Sequence, residues 1–426
     1  MDIVYESCAG LDVHKDSVSV CVRRLEPGGK ISTVVREFGT MTRDILSMGD
    51  WMASQGVRQV AMESTGVYWK PIWNLLEERF ELMLCNARDV KNVPGRKTDT
   101  KDCQWLAQLL QHGLLRASYI PPKPQRALRE LTRHRAQLSG EHTRAANRIA
   151  KTLEDANIKL ASVASDILGK SGRLMLKAII RGETGPEQLA NLAQRKMRSK
   201  IPRLVRALEG GVDEHHRYML AMLLDHVEYL ERVMADLDNR IGKTLSSEAL
   251  NQQCGNGNTL PFDDAVQLLC TIPGIDLHTA QSVAAEIGVN MSQFPSSAHL
   301  SSWAGVSPGN NESAGKRKSG KTTHGNRWLK RALSQAAWAA SHTKKTYLST
   351  QYGRIARHRG KKRAIVALSH TLLTIIYHIL NQRAPYQELG ADYFDLTHIE
   401  SRARFHKKQL EKLGFKVTLE EKEMAA

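Results

Sequence analysis

The chain has 426 residues, enough for two or three domains of ordinary size. Lys and Arg total 61 against 44 Asp and Glu, and the formal net charge of +17 indicates a polyanionic partner, with nucleic acid favoured over a membrane surface. The six cysteines include no C-x-x-C pair, which argues against a zinc ribbon or a disulfide framework and fits a reducing cytoplasm. The longest apolar run, around residues 364–380, contains polar residues and is flanked by charge, which argues against a membrane span.

The first 115 residues alternate between strand-like and helix-like patterns. Three hairpin-linked strands come first, followed by helix, strand, helix, strand and helix. The predicted strands are Ser7–Val13, Ser17–Arg24, Ile31–Phe38, Val57–Glu63 and Glu81–Cys85, and the predicted helices are Thr42–Ser54, Val67–Arg79 and Lys101–His112. This order predicts an RNase H-like mixed sheet, so the fold class is α/β plus α.

A second region, after three prolines at 121–124, is expected to be helical. Long helices are predicted over Gln125 to about Lys159, Glu187–Leu208 and His215–Leu245, which indicates a helical or coiled-coil arm used for dimerisation or nucleic-acid contact. A polar glycine-containing linker, residues 251–258, follows. We therefore predict domains at 1–120, 121–250 (the arm) and 251–395, and a charged tail at 396–426.

The third region combines a possible phosphate-binding turn with an unusually basic stretch. Ile272-Pro-Gly-Ile275 lies between two helical runs and resembles a helix-hairpin-helix turn, although such turns are also common without a ligand. From Ser313 to Gln387 there is no Asp or Glu but there are sixteen Lys and Arg residues, interleaved with Trp and Tyr. This pattern predicts a surface for the phosphate backbone. The residues expected to contact nucleic acid are Lys316, Arg317, Lys318, Lys321, Arg327, Lys330 and Arg331.

Four acidic residues are candidates for a metal site. Asp12 and Glu63 end the first and fourth predicted strands, which are neighbours in an RNase H-like sheet, and Asp99 and Asp102 have the i, i+3 spacing of one helix face. Converging carboxylates select Mg²⁺ or Mn²⁺, which would clamp a phosphodiester. Each acid also has an ordinary structural interpretation, as a turn residue, a helix cap or a first-turn acid.

A serine in the basic region is a candidate nucleophile. Ser313 lies between Glu312 and Ala314-Gly315 and just before three cations, in a segment predicted to be a flexible loop. Composition alone gives Ser307 and Ser319 similar standing, and most serines in such loops have no catalytic role.

The motifs together resemble one family of transposases. The set Gly10-Leu-Asp12-Val-His-Lys15, Glu63-Ser-Thr-Gly66 and Thr98-Asp99-x-x-Asp102 is similar to that of the Asp-Glu-Asp-Asp insertion-sequence transposases of the IS one-ten (IS110) family and its sister group, IS eleven-eleven. The second half adds Ile272-Pro-Gly-Ile275, Phe294, Trp303-Ala-Gly-Val-Ser-Pro308, Ser313-Ala-Gly-Lys316 and Gly325-Asn-Arg327. The resemblance spans roughly residues 9–383.

The resemblance implies that residues 1–120 form a RuvC-like metal-binding domain and residues 251–395 a C-terminal transposase domain. It also implies a mechanism and partners. Asp12, Glu63, Asp99 and Asp102 would hold Mg²⁺ or Mn²⁺, and Ser313 would form a covalent phosphoserine link with DNA. The family often has Ser-Gly-Gly where this chain has Ser313-Ala-Gly315. It also implies homodimers that assemble into tetramers, donor and target DNA as substrates, and a structured guide (bridge) RNA encoded by the element. The protein would act in the bacterial cytoplasm, at the nucleoid.

Two other functions remain open at this point. A metal-dependent nuclease, such as a Holliday-junction resolvase, would use water as the nucleophile and would need only the acids of the first domain. A non-catalytic DNA- or RNA-binding protein would carry the same acids without using them.

Overall fold

The computed structural model describes residues 2–64, 66–87, 90, 102–253, 260–309, 311–313, 316–396 and 399–418. The chain divides into two compact units, Met1–Pro121 and Pro122–Ala426, and each is treated by itself.

The first unit contains a five-stranded mixed sheet. Its strands are β1 (Ser7–Val13), β2 (Ser17–Leu25), β3 (Ile31–Gly39), β4 (Gln59–Glu63) and β5 (Glu81–Cys85). The order is β3-β2-β1-β4-β5, with β1–β2 and β2–β3 antiparallel and β1–β4 and β4–β5 parallel. The predicted strands and the pairing of the first strand with the fourth are confirmed, and the sheet is consistent with an RNase H-like domain.

Helices cover both faces of this sheet, because side chains alternate along each strand. Ala9, Leu11 and Val13 of β1 belong to the core beneath helices α1 (Thr42–Ser54) and α2 (Trp69–Leu76). Cys8 lies on the opposite face and packs with Leu110 of helix α3 (Asp102–Gln111). The alternation therefore assigns Gly10 and Asp12 to the face that α3 covers.

The second unit is mainly helical. Its helices are α4 (Lys123–Asp155), α5 (Lys170–Ile180), α6 (Pro186–Asn191), α7 (Ile201–Ala207), α8 (Glu214–Leu245), α9 (Glu248–Gln253), α10 (Phe262–Cys270), α11 (Leu277–Ile287), α12 (Ser297–Ala304), α13 (Arg327–His342), α14 (Tyr347–Arg359), α15 (Lys361–Gln382), α16 (Tyr393–Leu396) and α17 (Ile399–Lys412). Short 3₁₀ turns lie at Leu160–Ser162, Arg195–Lys200 and Met291–Gln293, and a hairpin of β6 (Asn311–Ser313) and β7 (Lys316–Ser319) precedes α13.

Two hydrophobic cores hold this unit together. One is built where the C-terminal half of α4 meets α5, α6, α7 and the start of α8, and it contains Ile149, Leu153, Met175 and Leu204. The other contains residues from α10 to α15, with Leu368, Leu372 and Ile376 of α15 completely buried. Helix α15 is long and apolar enough to cross a membrane by length and composition. Its burial among the other helices is that of a core helix.

Three sequence predictions for this unit were wrong or incomplete. The expected helix over Glu187–Leu208 is broken into α6, a 3₁₀ turn and α7, and Arg195 between them has a φ of +50°. Helix α5 was not predicted. The segment around Ser313 was expected to be a flexible loop, whereas its described residues form the hairpin β6–β7, with Ser313 opposite Lys316.

Candidate active site

The carboxyl ends of two neighbouring parallel strands carry Asp12 and Glu63. Strands β1 and β4 pair in register up to Leu11 and Met62. Asp12 and Glu63 are the next residues on each strand, so the register continues to this pair. Residues in register on parallel strands lie on the same face of the sheet. Two of the predicted acids therefore start side by side at one edge of the sheet.

Helix α3 packs on the same face at very short range. A Cβ atom added to Gly10 would stand 2.4 Å from the Ala107 amide nitrogen and 2.4 Å from the Cys103 carbonyl oxygen. The Cys8 thiol, two residues before Gly10 on β1, donates a hydrogen bond to the Ala107 carbonyl at 3.5 Å. The helix thus runs opposite to β1, and its N-terminal residue, Asp102, lies toward the strand end that holds Asp12.

The side chains at this edge have distinct surroundings. His14 Nε2 is 3.3 Å from Asp12 Oδ2, a contact that the sequence interpretation missed although the two residues are only two positions apart. The Asp12 side chain is 28% exposed, so its oxygens remain accessible. Among the residues that the structure describes, no three His, Cys, Asp or Glu side chains are close enough together to hold a metal ion. Asp99 lies outside the described residues.

The donor chemistry at this edge nevertheless fits Mg²⁺ or Mn²⁺, which prefer carboxylate oxygens. Two buried cysteines, Cys8 and Cys21, lie on the face of the sheet that packs against α3. Burial raises the pKa of the Cys8 thiol to about 12, and burial together with the neighbouring Cys103 raises that of Cys21 to about 12. These thiols stay protonated at neutral pH.

Ser313 belongs to the second unit, at the end of β6. Two residues, Ala314 and Gly315, connect it to β7 in the sequence and lie outside the described part. The base of the hairpin is closed by a Pro308–Thr322 bridge and by the Gly309 amide, which donates to the Lys321 carbonyl at 2.8 Å. The hairpin therefore places the serine backbone at a defined tip rather than in an irregular loop.

Both ends of this hairpin are fixed to helices by glycines in close contact. Helix α12 ends at Gly305, which has the left-handed φ of +71°. A Cβ on Gly305 would be 2.7 Å from the Gly325 amide nitrogen, and one on Gly325 would be 2.3 Å from the Ala304 carbonyl. Asn326 then caps α13 by accepting hydrogen bonds from the Trp328 and Leu329 amides.

Comparison with known proteins decides the family. Residues 9–158 match the profile of the IS110-type DEDD transposases, described as Transposase, and residues 266–353 match that of the Transposase IS116/IS110/IS902 family. The first match covers the carboxylate edge, and the second covers the hairpin with Ser313. The chain belongs to the IS110 family of transposases. It is an enzyme of DNA transposition and recombination.

Named relatives agree with this assignment. The transposase is 26% identical over 317 residues to the "Insertion element IS110 uncharacterized 43.6 kDa protein" of Streptomyces coelicolor, covering 69% of this chain and 73% of that protein. It is 32% identical over 174 residues to the "Pilin gene-inverting protein" of Moraxella lacunata, and 26% identical over 174 residues to that of Moraxella bovis. Each of the two Moraxella matches covers 40% of this chain and half of the relative.

The predicted basic contacts of the transposase are partly visible. Lys316, Arg317 and Lys318 belong to β7, whose backbone alone is described. Arg327 and Arg331 are exposed on α13, and the Arg327 guanidinium lies 4.9 Å from the centre of the Trp328 ring. The remaining two, Lys321 and Lys330, flank the start of α13, where Lys330 Nζ donates to the Thr323 carbonyl at 3.3 Å.

A buried carboxylate joins three helices of the transposase next to these cations. The Glu286 side chain on α11 is 2% exposed. Arg133 of α4 donates to both its oxygens, from Nε to Oε1 at 2.6 Å and from Nη2 to Oε2 at 2.8 Å. Asn326, the cap of α13, donates to Oε2 at 2.6 Å, and Arg129 lies 3.6 Å away. The sequence interpretation missed this group, because Arg133 and Glu286 are 153 positions apart.

The Ile272–Ile275 turn joins α10 to α11, the two helical runs that the sequence predicted on either side of it. Gly274 has a φ of +89°, and a Cβ there would be 2.5 Å from the Ala340 amide nitrogen of α13. The glycine thus permits close helix packing. The first turn of α11 is capped by Asp276, where burial opposes ionisation but hydrogen bonds from Thr279 outweigh it and lower the pKa of the carboxyl. Phosphate binding at this turn stays a prediction.

Proposed function

We propose that this transposase cuts and rejoins DNA with Ser313 as the nucleophile and with Asp12, Glu63, Asp99 and Asp102 as the ligands of a divalent cation. The observation that supports this most directly is the position of Asp12 and Glu63 at adjoining ends of β1 and β4, with the N-terminal end of α3 on the same face. Mg²⁺ or Mn²⁺ bound there would stabilise negative charge on the attacking and departing oxygens.

The proposed chemistry is a reversible exchange of phosphoesters. The Ser313 oxygen forms a bond to phosphorus and its proton leaves to solvent, while the bond from phosphorus to one deoxyribose oxygen breaks and that oxygen gains a proton. A hydroxyl of the recipient strand then attacks the phosphoserine and releases Ser313. No high-energy cofactor is needed, because one phosphoester replaces another at each step. The cations near the hairpin would offset the charge of the phosphate.

A covalent-adduct assay tests this proposal. Ser313→Ala should abolish the protein–DNA adduct seen on a denaturing gel, while DNA binding by the same variant is unchanged. Ser307→Ala and Ser319→Ala are matched controls on the same segment and should still form the adduct. An adduct in Ser313→Ala would identify another nucleophile. Free cut ends with no bound protein in the wild-type reaction would favour hydrolysis by water, as in a junction resolvase.

Metal dependence is tested separately. Removal of divalent cations with EDTA should stop cleavage, and added Mg²⁺ or Mn²⁺ should restore it. Asp12→Asn and Glu63→Gln should lose cleavage at every cation concentration while they keep the affinity for DNA. Cleavage by both variants at the wild-type rate would contradict the carboxylate assignment.

We also propose that the substrates are donor and target DNA and that a structured RNA encoded by the element guides their choice, in the bacterial cytoplasm at the nucleoid. The inversion named for the Moraxella relatives is a rearrangement of the same chemical class. Residues 121–250 would form the arm, and residues 251–395 the C-terminal catalytic part. Copurification of an RNA that base-pairs with both ends of the element is the expected result, and ribonuclease treatment should then remove activity.

Dimerisation is proposed to involve α8. Helix α8 presents Tyr218, Met222 and Tyr229 to solvent at 62%, 54% and 53% exposure, on one side of the helix. This apolar stripe lies on the segment predicted to form the arm and offers a surface that a second copy would cover. Replacement of all three by Ser should shift the mass measured by light scattering toward the monomer.

A further inference from the structure

Helix α13 has one face in the core and one in solvent. Its inner face contributes Leu329, Leu333, Ala336 and Ala340 to the core. The outer face carries exposed residues at spacings of four, three and four, and we call it the α13 face: Arg331, Gln335, Trp338 and His342. The Arg331 guanidinium therefore lies toward the N-terminal end of this face and the two aromatic rings toward the C-terminal end.

The aromatic end of the α13 face is unusually exposed. The Trp338 side chain is 54% exposed, and the centre of its ring lies 4.6 Å from that of the His342 ring. His342 Nδ1 is 2.8 Å from the Trp338 carbonyl, which keeps the two rings together. More than half of Trp338 is exposed to solvent, so a large part of the indole is available for contact with a ligand.

The cationic end adjoins a cleft of about 600 Å³ between α4, α11 and α13. Arg331 and Gln335 line this cleft together with Arg133 and Arg135. Arg331 forms no ion pair with any residue in the described part of the chain.

The acids of this cleft are already paired or occupied. Glu286 is held by Arg133, and Asp276 caps α11, while Arg135 is itself paired with Asp238 at 3.1 Å. Among the described residues that line the cleft, Arg331 is therefore the guanidinium left for a ligand, on the same helix as the exposed pair of rings.

We infer that the α13 face binds an unpaired segment of nucleic acid, with one base stacked on Trp338 and His342 and an adjacent phosphate held by Arg331. Base–aromatic stacking needs a base whose own face is free, which a single strand offers and an intact duplex does not. A second copy that presents the same face is disfavoured as the occupant, because the segment from Ser313 to Gln387 has sixteen cations and no acid to meet them.

This inference rests on the proposed function, since it takes nucleic acid as the partner, and it adds a site for unpaired strands. Exchange of strands and pairing with a guide both expose unpaired bases, so a stacking platform on the helix that follows the Ser313 hairpin suits either. The source of the strand, DNA or RNA, is distinguished by experiment.

The test measures binding of the full chain to three fluorescent 20-mers of one sequence: single-stranded DNA, single-stranded RNA and duplex DNA. Trp338→Ala should weaken binding of at least one single strand by roughly 5- to 150-fold and change duplex binding less than twofold. Trp338→Phe, which keeps a ring, should restore most of the loss. Phe405→Ala removes an aromatic ring that is 57% exposed on α17 and should have no effect.

The salt dependence separates the two ends of the face. Arg331→Ala should reduce the slope of log affinity against log salt by about one, whereas Trp338→Ala should leave that slope unchanged. A larger loss for single-stranded RNA than DNA would identify RNA as the occupant, and the reverse would identify DNA.

Three results would overturn the inference. They are wild-type affinity of Trp338→Ala for both single strands, an equal loss for duplex and single strands, and a fall in oligomeric mass caused by Trp338→Ala, which would mean that another copy covers the face. In each case the wild-type chain still binds DNA and the proposed function stands. Failure of the wild-type chain to bind any of the three probes would reject both.

Discussion

Replacement of Gly10 by Ala tests the packing that brings helix α3 to the carboxylate edge. The new methyl group would stand 2.4 Å from two helix backbone atoms, the Ala107 nitrogen and the Cys103 oxygen, where ordinary contact begins at 3.4 Å. The deficit is 3.4 − 2.4 = 1.0 Å. Backbone atoms cannot rotate aside, so the whole helix must shift by about 1 Å, at a cost of about 3 kcal/mol, the upper end for overpacking.

Two measurements follow from this shift. Amide hydrogen exchange in peptides from β1 and α3 should become roughly 100-fold faster if it is limited by opening of this unit. Cleavage should fall by roughly 100-fold even in the fraction that is folded, since a displacement of about 1 Å at a catalytic group has an effect of that size. DNA affinity should change little, because the basic residues predicted to contact nucleic acid lie in the second unit.

Gly242→Ala is the matched control for this experiment. Gly242 lies within α8, and nothing stands within 4 Å of the position of its Cβ. Alanine there should leave cleavage unchanged and stabilise the helix by up to about 1 kcal/mol. Wild-type exchange and wild-type cleavage in Gly10→Ala would refute the close contact between α3 and β1, and with it the placement of Asp102 near Asp12.

Other parts of the chain give three further predictions. Glu286→Ala leaves the Arg133 guanidinium without its carboxylate partner and should lower the free energy of unfolding, measured by urea denaturation, by about 3–5 kcal/mol. An unchanged denaturation midpoint would contradict the buried ion pair. The pKa of Asp276 is lowered in the folded chain, so its ionised carboxylate stabilises the second unit at neutral pH. That stabilisation is lost as the pH falls from 3.8, the ordinary pKa, through the lowered pKa of the folded state. Asp276→Ala should therefore reduce the fall of the melting temperature at acid pH. With thiol pKa values of about 12, Cys8 and Cys21 should react with iodoacetamide at pH 8 only after unfolding, and rapid labelling of the native chain would be inconsistent with their burial.

The sheet was predictable because its signals are local. The strands could be predicted from alternating β-rich runs, from the Gly28-Gly29 turn and from acids at two strand ends. The order of hairpins followed by crossovers then placed the first strand beside the fourth. The reason for glycine at position 10 was not predictable. It depends on a helix nearly 100 residues later in the chain, and no local pattern records that contact.

The second unit was harder for physical reasons. The segment around Ser313 was predicted to be a loop because Pro308-Gly309 and Ala314-Gly315 are typical of loops. The described residues Asn311–Ser313 and Lys316–Ser319 nevertheless pair as a hairpin. The helix expected over Glu187–Leu208 ignored the break at Arg195, where a positive φ is set by tertiary packing rather than by propensity. Trp338 was visible as an aromatic residue among cations, but its exposure depends on which face of α13 the core buries.

The hydrogen bonds of the Glu286 carboxylate also connect helix α4 to the segment that precedes α13. The helix has 33 residues and is about 50 Å long. Arg129 and Arg133, in its first three turns, contact the Glu286 carboxylate. The C-terminal end of α4 lies about 33 Å along the helix axis from Arg133. Because the same carboxylate also accepts a hydrogen bond from Asn326, helix α4 is connected through one side chain to the base of the hairpin that carries Ser313. A displacement of α4 relative to α11 would therefore act on the segment that holds the proposed nucleophile.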